Sequence, residues 1–399
     1  TLATTSRTGW ILGIDCSGFA VEDIHFQNES AVNGSGIATA GGGVRIGSLL
    51  ATTGIASSQA NATRIRNCSF YGCYVGIDHY SADSYVISEN TIHNFVAYGI
   101  QINNCYNPNT ASLYDYGDPI ISGNQITSGL YSGGATGIRW VSGGGLKIVG
   151  NKINGNGLAS ATYYLTNGIW FDPASTTNTS VFTITANSIE GVTGGSCIKI
   201  VNGNDTASMT YFTITGNELQ TSGTGSGVTV TGRSGGNRPS RGYIGGNVLN
   251  NCCGSGGINL SYALNWVIAP NIFGDMAASQ YAITLGEQVY GSDFHEQRIA
   301  STSWTDAAFI GQINDTSTGG SAINPAGAFE RNVFHTKYSQ TVNFATKQAA
   351  AKNIFFIGPS ASAAAGCRIR VVVEGQMAGV SKNLFYCGER AIVQTYGTA

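Results

Sequence analysis

Trp170 and Asp172 stand two residues apart in the segment Gly168-Ile-Trp-Phe-Asp172, which puts a ring and a carboxyl on one side of an extended chain. That pairing suits sugar chemistry. The ring packs on the apolar face of a pyranose, and the carboxyl works as acid, base or nucleophile at a glycosidic bond. Hydrolysis usually takes two carboxylic groups, roughly 5 Å apart for retention and about 6.5–9.5 Å apart for inversion. Asp172 is the first candidate, with Asp205 and Glu190 as its partners and Asp115 and Asp118 as further acids. Arg139, Lys199, Gln101, Asp78 and Tyr80 complete a set able to read hydroxyls and carboxylates as substrate-binding groups. The same cations beside Asp172 also fit β-elimination on uronic-acid sugars, in which a base removes a proton and a cation neutralises the carboxylate.

These residues are far apart in the chain, so the elements between them must bring them together. A glycine–isoleucine pair recurs about every 30 residues: Gly13-Ile14, Gly43-Val44, Gly76-Ile77, Gly99-Ile100, Gly137-Ile138, Gly168-Ile169, Gly227-Val228 and Gly257-Ile258. Cys197-Ile198 and Ala282-Ile283 fill the same slot. Some 20 residues after most pairs comes apolar-x-x-Asn-x-apolar, built on Asn90, Asn124, Asn151, Asn187, Asn217, Asn247 and Asn271. Two interlocked repeats in fixed order mean a solenoid. Around Gly168 the alternation turns Ile169 and Phe171 inward and Trp170 and Asp172 outward, which is strand periodicity. A second strand follows near Val181–Ile184 and a third ends at Ile189. Three short strands and three turns per repeat predict an all-β, right-handed parallel β-helix of about ten rungs.

The asparagine has a double rationale. The chain bends sharply between the second and third strands, and Asn tolerates a left-handed backbone there. Stacked amides also satisfy one another. Cys68 and Ile24 occupy the slot in the first copies, so the ladder is expected to start at Asn90.

In register, the residue after each pair forms an outer column: Asp15, Arg45, Asp78, Gln101, Arg139, Trp170, Lys199, Thr229, Asn259 and Thr284. A second column holds Tyr80, Asn103, Asp172 and Ser261. The middle of this surface is acidic, aromatic and basic; its later rungs are Thr, Asn and Ser. Long polar segments beside it carry Tyr106, Tyr114, Tyr116, Tyr131, Tyr163 and Tyr164, candidate walls of a groove. His79 alternates inward and reads as a buried, hydrogen-bonded residue.

Composition narrows the function classes. Glycine is 56 of 399 residues, about twice the usual share of roughly 7%. Charged residues are 11% with a net charge of −2, a surface with no footprint for nucleic acid or anionic membrane. No apolar run approaches a membrane span and no signal peptide is evident. Nine cysteines lack zinc spacing, and Cys16 and Cys197 read as small core residues in a reducing compartment. No EF-hand or phosphate loop is present, so neither metal nor cofactor is expected. From about Ala300 the repeat stops and apolar segments separated by Gly, Pro and Ser follow. The expected division is a β-helix with a polysaccharide-binding groove over 1–298 and a β-rich capping or oligomerisation domain over 299–399.

The Gly-Ile-x-apolar and apolar-x-x-Asn-x-Ile rungs resemble the pectate-lyase-type right-handed β-helix superfamily. The low charge, Ser/Thr/Gly-rich rungs and non-repeating C-terminus resemble bacteriophage tailspike depolymerases most. That resemblance implies a homotrimer, joined to a virion tail through an N-terminal part preceding Thr1 and folded in the host cytoplasm. It also implies binding and cutting of bacterial surface polysaccharide, whether capsule, exopolysaccharide or O-antigen. No short catalytic motif defines that group, so no catalytic position is carried over. The Asp-Asp and Gly-His-Gly signatures of polygalacturonases are missing, which argues against a pectinase. A secreted polysaccharide lyase and a non-catalytic β-helical adhesin are the alternatives.

Overall fold

The structure is a computed structural model. It describes residues 1–4, 8–14, 18–28, 39–47, 62–80, 84–103, 119–128, 134–142, 145–155, 165–173, 178–202, 208–221, 225–234, 236–252, 256–274, 281–295 and 297–300. Four later strands, 313–315, 333–335, 367–376 and 383–392, are also described.

All regular elements among these residues are strands, and apart from two separate two-stranded pairs they stack on three parallel faces. The first sheet holds the strands that follow the glycines, among them Gly42–Ile46, Val75–Tyr80, Tyr98–Asn103, Ala135–Trp140, Leu165–Phe171, Ser226–Thr231 and Ile258–Ser261. The second, of 11 strands, includes Val86–Ser88, Ile120–Ser122, Lys147–Val149, Asn178–Thr185 and Ser208–Thr215. The third includes Thr91–His93, Gln125–Ser128, Lys152–Gly155 and Glu218–Thr221. Ser188–Val201 is one continuous strand that serves two sheets. Its start pairs with Lys152–Gly155, and its end pairs with Leu165–Phe171. The all-β parallel solenoid is therefore as the repeats require.

Register follows the apolar spacing. Ile77, Ile100, Ile138, Ile169, Ile198, Val228 and Ile258 stack one on the next, all fully buried. Burying each such side chain stabilises by about 1.5–3 kcal/mol. Slipping one strand by a single residue would turn its whole apolar set to solvent. Trp140, Phe171, Phe182, Phe212 and Trp266 form an aromatic spine, with Phe182 and Phe212 stacked at 4.6 Å.

The two sequence repeats are interlocked in space. A Cβ on Gly99 would lie 2.6 Å from Ile126 Cγ2 and 2.7 Å from the Gly137 carbonyl oxygen. Ile126 stands two residues after Asn124, so the isoleucine of one motif fills the space left by the glycine of the other.

The asparagines form a continuous buried ladder. Asn124 donates from its backbone N and from Nδ2 to Asn151 Oδ1, at 3.0 and 2.9 Å. Its Nδ2 also donates to the Ile87 carbonyl of the preceding coil at 3.0 Å. The ladder starts at Asn90, which accepts from the Cys68 backbone N at 3.0 Å. Its last member among the described residues is Gln297, whose Oε1 accepts from Asn271 N and Nδ2 at 3.0 Å. The left-handed backbone expected at the asparagine is instead one residue earlier. Asn67, Glu89, Gly123, Gly150, Ala186, Gly216 and Gly246 have φ between 51° and 67°. The preceding residue makes the corner, which frees the asparagine to turn its amide inward. Pro270, confined to negative φ, ends this pattern before Asn271.

One register needs correction. Gly13, two residues before Asp15, is the strand partner of Arg45, and Leu12 pairs with Val44. The first Gly-Ile pair is thus out of phase with the others; Asp15 itself lies outside the described residues. Beyond 300, Ile313–Asp315 and Val333–His335 pair in parallel with Ile283–Leu285 and Asp293–His295. Parallel stacking continues past the place where the repeat is legible. Cys367–Gln376 and Asn383–Ile392 pair antiparallel. The apolar segments 342–344 and 353–357 of the expected β-rich C-terminal region lie outside the described residues.

Candidate active face on the first sheet

Sheet pairing sets the outer column of the first sheet residue by residue. Arg45, Asp78, Gln101, Arg139, Trp170, Lys199, Thr229, Asn259 and Thr284 are successive partners, as the sequence register requires from Arg45 onward. Each step along the axis is roughly 4.8 Å.

Arg139 is the hub. Its Nη2 meets Asp172 Oδ2 at 2.7 Å, with the two side chains 23% and 31% exposed. Nη1 donates to Tyr98 Oη at 2.9 Å and to Gln101 Oε1 at 3.4 Å. The guanidinium also lies 4.9 Å from the Tyr98 ring centroid and 5.1 Å from that of Trp170. Lys199, from the next coil, lies 5.2 Å from the Trp170 centroid. Cations from the coils on either side thus flank the indole, so Trp170 orders Arg139 and Lys199 and does not offer a bare face to a sugar. Its buried Nε1 finds no acceptor among the described residues.

Asp78 is the other acid of the column, only 4% exposed. Gln101 Nε2 and Asn103 Nδ2 both donate to its Oδ1, at 3.1 and 2.9 Å. Burial pushes its carboxyl up to about 6; Gln101, Arg45, Asn103 and Arg139 each pull in the opposite direction and offset only part of that effect. Beneath it, His79 points into the core. It is fully buried, with Nε2 3.1 Å from Thr63 Oγ1 and its ring 4.1 Å from that of Tyr85. Burial pulls it down to about 3. Its inward, hydrogen-bonded place is the one its alternation predicts.

On the later coils charge gives way to hydroxyls and amides. Ser196 Oγ and Thr229 Oγ1 are 2.7 Å apart, and Asn259 Nδ2 donates to Ser226 Oγ at 2.8 Å.

The sequence-derived set is only partly assembled here. Asp172, Arg139, Trp170, Lys199, Gln101 and Asp78 share one face. Tyr80 ends its strand with its backbone paired to Asn103. Glu190 is on the third sheet, paired with Asn154, with Ser188 Oγ 3.4 Å from its Oε1. The first sheet, about five residues or roughly 16 Å wide, separates Glu190 from the edge that carries Asp172. Asp205, Asp115 and Asp118, and the six tyrosines proposed as groove walls, lie outside the described residues. Asp78 and Asp172 are three coils apart, about 14 Å along the axis, too far to form a single glycosidase pair.

Tyr98 was missed. It precedes Gly99, and a reading that starts each strand at the Gly-Ile pair skips that position. Aligning the preceding residue as well gives Val75, Tyr98, Thr136, Asn167, Ser196 and Ser226, and exposes the tyrosine at once.

Among the described residues, no group of His, Cys, Asp and Glu could hold a metal ion. No helix among them is long and apolar enough to cross a membrane. Cys68, Cys73, Cys197 and Cys252 are free buried thiols.

Residues 11–176 and 53–242 match the family described as right handed beta helix region. No curated protein matches the sequence. Among solved structures, the chain is similar to the DFA-IIIase of Arthrobacter chlorophenolicus A6 in complex with GF2. Identity is 13% over 83% of this chain and 85% of that one, with a TM-score of 0.49. A double mutant of the periplasmic alginate epimerase AlgG gives 12% identity over 83% and 78%, with a TM-score of 0.35.

Proposed function

This chain belongs to the right-handed β-helix family, and from that premise we propose that it is a polysaccharide-processing enzyme working on the outer face of its first sheet. One observation carries this reading. Arg139, Asp172, Trp170, Lys199, Tyr98, Gln101 and Asp78 converge on consecutive coils of one sheet, and the outer column of that sheet continues beyond them as uncharged Thr229, Asn259 and Thr284. A closely packed β-helix core leaves no room for a ligand, so chemistry belongs to such a face. Cations and amides at coil spacing suit a long substrate that runs along the axis and presents hydroxyls and carboxylates in series.

The finer proposal is hydrolysis of a bacterial surface polysaccharide by a tailspike-type depolymerase. Its chain would assemble as a homotrimer and act at the host surface from a virion tail. Asp172 is the sequence-derived candidate for a reacting carboxyl, and its bond to Arg139 also suits it to position that guanidinium. Asp205 remains its partner by sequence alone, four residues after the strand that ends at Val201. A second reading, β-elimination on a uronic-acid sugar, is favoured by one specific arrangement. Arg139 and Lys199 bracket the column beside Asp172, where they would neutralise a substrate carboxylate.

Incubation with a panel of purified capsular polysaccharides, acidic and neutral, separates the readings. Hydrolysis releases reducing ends without new ultraviolet absorbance, whereas elimination adds the absorbance of an unsaturated uronate. Binding with no cleavage would leave the adhesin reading. Light scattering tests the trimer.

A further inference from the structure

We propose that Asp78 is the group of this face that exchanges a proton with bound polysaccharide and that it carries this proton on Oδ2. The inference rests on the cleavage reading above and names the residue that performs its proton transfer.

Geometry separates the two acids. Asp172 uses Oδ2 to hold Arg139 at 2.7 Å, which commits that oxygen to a permanent cation. Asp78 is bonded differently. Both of its amide donors, Gln101 Nε2 and Asn103 Nδ2, go to Oδ1, and no donor among the described residues is recorded at Oδ2. A carboxyl fixed through one oxygen, with the other unengaged, is held in orientation while it remains able to gain and lose a proton. Its place also fits. Asp78 stands in the outer column between Arg45 on the coil before and Gln101 on the coil after, with Arg139 one coil further. Those three side chains and Asn103 face it from the neighbouring coils. The two guanidiniums and two amides favour its carboxylate, yet burial outweighs them and holds it at about 6. That value lets the group hold its proton in mildly acidic solution and regain it each turnover.

The step balances as follows. Oδ2–H passes its proton to the glycosidic oxygen as the bond from that oxygen to the anomeric carbon breaks, so the leaving sugar departs as an alcohol. A water oxygen bonds to the anomeric carbon. The surplus proton of that water returns through solvent to the Asp78 carboxylate. Asp172, tied to Arg139, then positions the guanidinium that holds the chain.

The test takes the panel polysaccharide that the wild-type protein cuts and follows kcat/KM against pH. The wild type should fall about tenfold per pH unit above a limb near 6. Asp78→Asn, nearly identical in shape, should lose about 10²–10⁴-fold in kcat and abolish the limb. Gln101→Leu removes a donor that favours the carboxylate, so its limb should move to higher pH whatever its loss of rate. Cleavage by Asp78→Asn with rate and limb intact would overturn the role of Asp78 while leaving the depolymerase reading standing. A Gln101→Leu limb at the wild-type position would also overturn it. If the wild-type protein cuts no polysaccharide of the panel, the underlying reading fails and the assignment with it.

Discussion

Arg139 reaches up one coil to Asp172 and closes an ion pair at 2.7 Å while keeping a hydrogen bond to Tyr98 Oη one coil below. One guanidinium thereby ties together three consecutive coils on their open face. With side chains 23% and 31% exposed, the pair is screened by solvent, and exposed pairs of this kind stabilise by only about 0–1 kcal/mol. Five donors fixed in a fork, set on a surface of hydroxyls and amides, serve recognition better than stability.

Arg139→Leu is therefore expected to change the urea midpoint little and to raise KM by about tenfold or more, the loss of a charge-assisted contact worth roughly 1.5–3 kcal/mol. Asp172→Asn should behave alike if Asp172 only positions the guanidinium, with KM moving more than kcat. A collapse of kcat at unchanged KM would return the reacting role to Asp172. Steady-state kinetics on the polysaccharide that the wild type cuts decides between them.

The asparagine ladder predicts a stability effect with no functional counterpart. Asn151 Oδ1 accepts two hydrogen bonds from Asn124, and Asn151 Nδ2 donates to the Ile121 carbonyl at 2.9 Å and to Asn187 Oδ1 at 3.0 Å. Asn151→Leu strands the buried Asn124 backbone N–H, at about 1–3 kcal/mol, takes one of three acceptors from Asn124 Nδ2, and adds bulk where the turn is tight. The expected loss is several kcal/mol by urea denaturation. Gln297→Leu removes the acceptor of Asn271 N and Nδ2 in the same way and should cost a similar amount. A loss below about 1 kcal/mol at either position would mean that the ladder hydrogen bonds contribute little to stability.

How much of this was legible in the chain depends on what each residue answers to. Ile100, Ile138 and Ile169 were readable because a single requirement, core burial at a fixed period, sets all three. Their register then ordered the outer column correctly from Arg45 to Thr284. Gly13 misled, because the first coil is offset by two residues and a Gly-Ile pair by itself does not carry phase. The backbone role of the asparagines was misplaced by one residue. Asn and Gly both tolerate positive φ, and sequence does not say which of two neighbours makes the corner. Trp170 was read as a sugar platform, whereas its faces are flanked by Arg139 and Lys199. That outcome depends on side chains from the coils above and below, which the segment around Trp170 does not contain. Asp78 looked like one polar residue among several. Its distinction comes from burial and from two amides converging on a single oxygen, features of the fold and not of local sequence.

Asp78 and His79 are chain neighbours on opposite faces of one strand, and their titrations act on stability with opposite signs. Burial raises Asp78 from 3.8 to about 6, so the folded protein holds that proton more tightly than the unfolded chain. Its contribution is present in full below about 3.8 and is lost as pH rises through 6. Burial lowers His79 from 6.5 to about 3, so its contribution is present above 6.5 and is lost as pH falls toward 3. At neutral pH the His79 contribution is whole and that of Asp78 has gone. Asp78→Asn should accordingly be more stable than wild type near neutrality, by up to about 3 kcal/mol, with the difference vanishing below roughly pH 4. His79→Gln, which keeps a partner for Thr63, should flatten the acid side of the same profile. Urea midpoints across the pH range measure both effects. A buried acid that weakens the fold at the pH where it would work is what an active-site carboxyl looks like thermodynamically, since stability is given up locally for reactivity. If Asp78→Asn instead destabilises the protein at neutral pH, Asp78 is a structural tie between Gln101 and Asn103.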